Sequence, residues 1–235
     1  VQHHRPIKGS VDDAVYVPNT SSISFVAAQS FSLSAWVKTA TGTAQRLIAR
    51  YEGTPYYNLS IGGDCTANKA CFAIRGSGGG EPIAKSTSNV NDNKWHLITG
   101  VRDVVEDKIY LYFDGVREAT VADSIIGDFG TLYGVTLACH ASINCASNWL
   151  NGLLDDARIY NRALSGAEVV ELYKMGGSKI NKTDTTKPTL KTGLIGHWTM
   201  DGPDVTANTT TDRSGQGNHG TRNGGTKVVR GKIGQ

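Results

Sequence analysis

The chain has 235 residues, enough for one large all-β domain or two small ones. At that size about 70–75% of the unfolded surface is buried on folding. Its 28 glycines, frequent Ser and Thr and only two Met argue against a helical protein and for short strands between turns. A net charge of +3 with acids and bases interspersed gives no basic stripe for nucleic acid, and no apolar run approaches the roughly 18 residues of a membrane span.

Residues 1–10 show no periodicity, and the adjacent His3 and His4 read as exposed rather than metal-binding. Residues 14–17 form a short strand stopped by Pro18, and 22–26 a second with Ile23 and Phe25 on one side. Over 31–38, Phe31, Leu33, Ala35 and Val37 face one way, while Trp36 lies with Ser32, Ser34 and Lys38 on the other. A two-sheet sandwich accounts for the apolar face; Trp36 either covers the outer face or marks a bulge. Strands follow at 46–51 and 56–61, the second with Tyr57, Leu59 and Ile61 in register. Residues 71–75 then run into Gly76-Ser77-Gly78-Gly79-Gly80, expected to be a flexible loop. With no following helix and no Lys-Ser/Thr, that run is not a phosphate cradle.

A turn cluster at 91–94 leads into a strand at 95–101. Over 108–113, Ile109, Leu111 and Phe113 oppose Tyr110 and Tyr112, and Asp114-Gly115 makes a hairpin turn. Strands are expected at 134–139 and 150–160. Ser165 and Glu168 stand at capping-box spacing, Val169, Leu172 and Tyr173 share a side, and Gly176-Gly177 is the stop. This predicts one short helix near residues 165–175, of about two to three turns, which needs packing to be stable. Residues 179–192, polar and with Pro188, read as a linker. Residues 193–202 read as a strand with Leu194, Gly196, Trp198 and Met200 on one face, closed by Asp201-Gly202; 212–220 is a polar, glycine-studded loop.

The cysteines fall into Cys65/Cys71 and Cys139/Cys145, each pair with five residues between. A metal site would use tighter spacings with interleaved histidines, so two local disulfides of a secreted β-protein are the better fit, although four cysteines permit three connectivities. The chain as given then reads as the mature part of an exported protein. Sequons at Asn19, Asn58, Asn181 and Asn208 permit glycosylation.

Residues 31–38, Asn93-Lys94-Trp95-His96, Tyr112-Phe113-Asp114-Gly115 and 153–173 resemble, in order, the central and closing motifs of laminin-G-like domains of the concanavalin A-like lectin/glucanase superfamily. The run Asp155 to Ser165 with its helix is the most specific of them. Residues 193–202 and 212–220 resemble the opening motifs, and Gly231-Lys232-Ile233-Gly234-Gln235 resembles the lead into a strand whose continuation stands at 9–18. The resemblance covers nearly the whole chain but in permuted order: joining Gln235 to Val1 would restore the usual one. It implies an all-β fold, a two-sheet antiparallel jelly-roll sandwich. Residues 1–178 would form its main part and 193–235 its opening strand and loop, completing this chain or a neighbouring subunit. The 14 residues of 179–192 reach roughly 45–50 Å when extended, so folding back is feasible. Docking on the next subunit would instead build a head-to-tail filament by strand complementation. In a mere fragment of a tandem array, Leu194, Trp198 and Met200 would be left exposed.

Glucanase chemistry needs two converging carboxylates roughly 5 Å apart. No Glu-x-Asp-x-Glu run exists, and Asp155-Asp156, being adjacent, are expected to point to opposite faces. No Ser-His-Asp or Cys-His setting is recognisable, so no enzyme is expected. The resemblance implies a calcium ion on Asp201, Asp212, Asn218 and Asp155; the competing reading makes Asp212 and Asn218 turn formers. For glycans the candidate platforms are Trp149, Trp36 and Tyr57, with Trp95 and Trp198 assigned to the core. The leading expectation is a non-catalytic, extracellular structural or adhesive subunit of a cell-surface protein or filament. It would contact copies of itself, through Leu194, Trp198 and Met200, or other surface proteins. The alternative is a calcium-bound, carbohydrate-binding monomer completed by its own C-terminal segment.

Overall fold

The computed structural model describes residues 7–8, 14–51, 53–130, 133–140, 147–177, 188–206, 208–223 and 232. In chain order the elements are β1 (Ile7–Lys8), β2 (Ala14–Val17), β3 (Phe31–Thr39), β4 (Gln45–Arg50), β5 (Tyr56–Ile61), β6 (Lys69–Arg75), β7 (Ile83–Asn89), β8 (Trp95–Asp103) and β9 (Lys108–Phe113). There follow β10 (Val116–Ala122), β11 (Val135–Leu137), β12 (Gly152–Tyr160), α1 (Gly166–Gly177), α2 (Pro188–Lys191), β13 (Leu194–Trp198), β14 (Thr209–Thr210) and β15 (Gly220–Asn223). They form two antiparallel sheets. The first runs β1-β12-β3-β8-β9-β10 with β13 also on β12, and the second β14-β15-β2-β11-β4-β5-β6-β7. This is the expected jelly-roll sandwich.

Period-2 alternation sorts the side chains as read. Phe31, Leu33, Ala35 and Val37 of β3, Tyr57, Leu59 and Ile61 of β5, and Ile109, Leu111 and Phe113 of β9 meet between the sheets. Phe25 stacks on Phe31 at 4.4 Å, with Phe72 and Phe129 edge-on to Phe31 at 5.9 and 5.5 Å. The expected strand at 22–26 is instead a single 3-10 turn, Ser21–Ile23, that still buries Ile23 and Phe25.

A second apolar layer lies on the outer face of the first sheet. There Trp36, Leu97, Val101, Tyr112 and Tyr160 meet Leu164, Val169 and Leu172 of the α1 region and Leu190 of α2. Trp36 covers the outer face, and the ladder to β12 shifts just beyond its pair with Asp155: Tyr173 stacks on it at 5.6 Å, and any Cβ at Gly176 would strike the indole. The capping box forms. Glu168 accepts the Ser165 N–H at 2.9 Å, and its own N–H donates to Ser165 Oγ at 3.3 Å. Within the expected linker, Pro188–Lys191 is helical and pinned by Arg162, which donates to the Thr189 and Thr192 carbonyls at 2.7 and 2.8 Å; residues 179–187 lie outside the described ones.

The glycine run is not a loose loop. Gly79 bridges Ile126, and side chains at Gly76 or Gly80 would fall on the Ile126 or Ser124 carbonyls, so the glycines permit backbone to approach backbone. Cys65 and Cys71 are joined, with their Cα atoms 6.2 Å apart. Cys139 is also disulfide-bonded; its expected partner, Cys145, lies outside the described residues.

The C-terminal segment adds β13 to the first sheet, on β12, and the β14–β15 pair to the second, with β15 on β2. β1 pairs with Leu153 and Leu154 and β13 with 157–160, so the two lie end to end along one edge of β12. The alternation expected over 194–200 fails at its start. Ile159 pairs with Gly196 but Tyr160 with Leu194, so Ile195 is an extra residue in the ladder. That shift sends Ile195 into the central core with Trp198 and Met200 and turns Leu194 to the helix-covered side.

Candidate functional site

With Tyr57, Leu59 and Ile61 facing inward, Tyr56, Asn58 and Ser60 of β5 must face outward on the second sheet. The strand register sets Thr136, Ala49, Asn58 and Ala73 side by side across β11, β4, β5 and β6. Two alanines therefore flank the Asn58 amide, and neither brings it a polar partner. Asn58 is 0% exposed, and neither its Oδ1 nor its Nδ2 has a hydrogen-bond partner. A buried, unsatisfied polar group costs about 1–3 kcal/mol, so two on one side chain need an explanation.

Charged side chains and aromatic rings pack around it. On one side Arg46 grips Asp64 through both terminal nitrogens, at 2.5 and 3.1 Å, leaving its buried Nε without a partner. The Arg46 guanidinium lies 5.6 Å from the Tyr51 ring centroid, and that ring in turn contacts Tyr56 at 4.6 Å and His140 at 4.5 Å. On the other side Arg75, paired with Tyr56 across the strands, bonds Glu81 at 3.0 Å. Glu81 also accepts the Tyr56 hydroxyl; burial first, and then this carboxylate, push that phenol well above its ordinary range. The amide donor and acceptor are closed to solvent, so a ligand would reach them only after these side chains moved aside.

Two of the three expected glycan platforms do not reach the surface. Trp36 is 1% exposed because α1 lies on it, and Tyr57 is 0% exposed because it points inward and donates its hydroxyl to the Ile23 carbonyl at 2.9 Å. Trp149 is half-buried against Ala14 and Cys139, on the outer side of β2 and so on the same face as Asn58. Asn58, read in the sequence as a sequon, is inaccessible to glycosylation, whereas Asn19 and Asn208 are exposed.

The loop from Asp212 is built around its carboxylate. Oδ1 accepts the His197 and Ser214 N–H groups at 2.9 and 2.8 Å; Oδ2 accepts Ser214 Oγ and the Asn218 N–H at 2.7 and 2.9 Å. Asn218 accepts Thr20 Oγ1 at 2.8 Å and donates to the Ile195 carbonyl at 2.7 Å, tying the loop to β13. Asp201 opens the 3-10 turn Gly202–Asp204. Asp155 accepts the Asp156 and Lys232 N–H groups at 2.9 and 2.7 Å. Among the described residues no three of His, Cys, Asp and Glu are grouped to hold a metal ion.

Asp155 and Asp156 do not point to opposite faces. The ladder shifts between Asp155 and Arg158, and Asp156 adopts a positive φ of 47°, so both carboxylates turn to the outer side of the first sheet. Asp156 is buried between Arg158, 2.9 Å away, and His197 of β13, whose Nε2–H donates to it at 2.6 Å. Burial alone would raise the Asp156 carboxyl, but Arg158 and His197 hold it well below the usual carboxylate range. Burial, then the Arg158 charge, lower the His197 imidazole and keep it neutral. The triad is a structural tie across the β12–β13 seam.

The family profile described as concanavalin A-like lectin/glucanases superfamily matches residues 8–170. No curated protein matches the chain. Among solved structures, a Bacteroides ovatus "putative carbohydrate binding protein" is 15% identical with a TM-score of 0.73, over 98% of this chain and 60% of that one. The binding domain of botulinum neurotoxin serotype G gives 16% and 0.57, over 74% and 43%; that of Paraclostridial Mosquitocidal Protein 1 gives 17% and 0.54, over 77% and 48%. The chain thus spans less than two thirds of the length of these proteins, and at such identities the likeness is one of fold. Among the described residues no helix is long and apolar enough to cross a membrane.

Proposed function

The chain belongs to the concanavalin A-like lectin/glucanases superfamily, and on that footing we propose that it is a non-catalytic, extracellular glycan-binding module whose site is the outer face of the second sheet around Asn58. The observation that carries this reading is the buried, outward-facing Asn58 amide with both atoms unpartnered beside the Tyr51–Tyr56 ring pair. Disulfides support the extracellular setting. The carboxylates that could serve a glucanase support binding without catalysis: Asp156 is engaged by Arg158 and His197, and Asp155 by backbone donors. The reading does not call on calcium, because Asp212 and Asn218 already accept donors from the protein itself.

The test is Asn58→Leu, which keeps the volume and removes the unsatisfied amide. Its melting temperature is expected to stay level or rise, while retention on a panel of immobilised polysaccharides falls at least tenfold. A fall in melting temperature with retention intact would make Asn58 a structural residue and remove the site.

A second reading, a structural or adhesive subunit exchanging residues 193–235 with its neighbour, is favoured by one observation. The segment gives one strand to the first sheet, two to the second and a Trp to the core through contacts that a second copy could make equally. Mass measured by light scattering on dilution tests it. Exchange gives concentration-dependent polymers that disappear when 193–235 is deleted and return when that piece is added in trans. A constant monomer mass removes it.

A further inference from the structure

The sheet orders leave β10 at one end of the first sheet and β7 at one end of the second, and the two strands lie against each other across that side of the sandwich. A terminal strand presents N–H and C=O groups that form a ready template for the strand of another chain. At the other end of the sheets backbone meets the edges: the Arg213 N–H donates to the His197 carbonyl of β13 at 2.8 Å, and Val205 bridges Thr210 of β14. The β7 edge is met by side chains instead.

β7 pairs with β6 at 83–85 and again at Asn89, and the register shifts between, which takes 86–88 out of the ladder. Ser86 fills the gap with its hydroxyl, which accepts the Ala70 N–H at 2.9 Å and donates to the Ser88 carbonyl at 2.8 Å. The β10 ladder shifts too, between Arg117 and Ala119, so Glu118 is an extra residue in it. Glu118 reaches across to β7. Its Oε2 accepts the Thr87 and Ser88 N–H groups at 2.7 and 2.9 Å, and its Oε1 accepts the Ser88 hydroxyl at 2.5 Å. Lys69 donates to the Thr87 carbonyl at 2.5 Å. Both N–H groups and both carbonyls of Thr87 and Ser88 thus end on side chains of their own chain. Thr87 is exposed and Ser88 half-buried, so water could serve the same groups and burial does not demand the carboxylate. What the carboxylate adds is to occupy the edge.

We infer that Glu118 is an autoinhibitory contact: it holds the two β7 donors that a second copy of this chain would otherwise use for antiparallel β7-to-β7 pairing. Such a pair is two-fold symmetric and self-complementary. Centred between Thr87 and Ser88, it sets Ser86 against Asn89 and Lys85 against Val90, with no like charges opposed. The inference does not depend on what the outer face binds. Light scattering at matched concentration tests it on the full chain and its variants; any polymer formed through 193–235 would be common to all of them. Glu118→Ala is expected to raise the weight-average mass about twofold over the wild type. Glu118→Gln, whose amide oxygen still accepts both N–H groups, is expected to keep the wild-type mass. Glu118→Ala combined with Thr87→Pro, which removes a donor from the edge, is expected to return to it. Melting temperatures show which variants are folded. Folded Glu118→Ala at the wild-type mass would overturn the inference, as would association that Thr87→Pro leaves in place. Equal association of Glu118→Gln and Glu118→Ala would trace the effect to lost charge and overturn it as well. If Glu118→Ala does not fold, amide exchange on the wild type decides: Thr87 and Ser88 are expected to be slowed at least about a hundredfold, and unslowed exchange would overturn the contact itself.

Discussion

Asp156→Ala is expected to destabilise the fold by about 3–5 kcal/mol, the range for removing one partner of a buried ion pair. In a chain of this size that is a fall of roughly 10 °C in melting temperature. The loss follows from what remains. The Arg158 guanidinium, 2.9 Å from Asp156 and itself buried, keeps its charge and has no carboxylate, and His197 loses the acceptor of its 2.6 Å bond. Changing both members together, Asp156→Leu with Arg158→Met, is expected to recover most of the stability, because a well-packed apolar pair leaves no stranded charge. If the double variant is no more stable than Asp156→Ala, the loss comes from the strained backbone at position 156 and not from the ion pair.

The same triad fixes the sign of one pH dependence. Asp156 titrates lower in the folded chain than in the unfolded one, so its contribution is complete above about pH 4 and is lost as the pH falls through the folded value. His197 is also lowered, chiefly by burial and then by Arg158; below about pH 6.5 the unfolded chain binds the proton more readily, and stability falls with pH. His96 acts in the opposite sense. Burial would lower it, but Asp114 and Asp92 raise it overall, so its contribution is full below about pH 6.5 and is lost as the pH rises through its folded value.

The sandwich was legible in the sequence wherever alternation ran undisturbed. Phe31, Leu33, Ala35 and Val37 defined an inner face correctly, as did Tyr57, Leu59 and Ile61, because each strand is paired in regular register on the relevant stretch. Legibility ended at extra residues in the ladder. One at Ile195 put Leu194 on the wrong side, and one between Asp155 and Arg158 brought together two carboxylates that strict alternation sets apart. The bulge at Asp156 has no glycine or proline to announce it, and Gly196 beside Ile195 reads equally as a strand position that makes room for the Trp198 ring. The setting of Asn58 was half legible: alternation places Asn58 outward, but its small neighbours Ala49 and Ala73 come from other strands, and only the register sets them beside it. Trp36 failed as a glycan platform for a related reason. A tryptophan on a polar face looks exposed until the helix at 166–177 is laid over it.

Trp198→Ala is expected to be comparably costly, about 3–5 kcal/mol, and to act on the whole sandwich rather than on the C-terminal segment alone. The indole is 0% exposed, its Nε1–H donates to the Asn218 carbonyl at 2.9 Å, and it lies in the same cluster as Phe31, Ile98 and Leu154. Gly196 is shaped to this ring, since any side chain there would meet its six-membered edge. Truncation leaves a cavity that the flanking strands cannot close, because β12 is held by β3 on its other side, and it leaves the Asn218 carbonyl without its donor. A segment that merely lies on a finished sandwich would behave differently. Its truncation would make 193–223 sensitive to protease while the remaining body melted at its original temperature. Melting and limited proteolysis on one sample separate the two. A single transition, lowered by roughly 10 °C with protease sensitivity rising throughout, is the expected result. An unshifted transition accompanied by cleavage confined to the segment would mean that the body folds without it. The strand at 194–198 would then be an appendage and not the closing strand of the core.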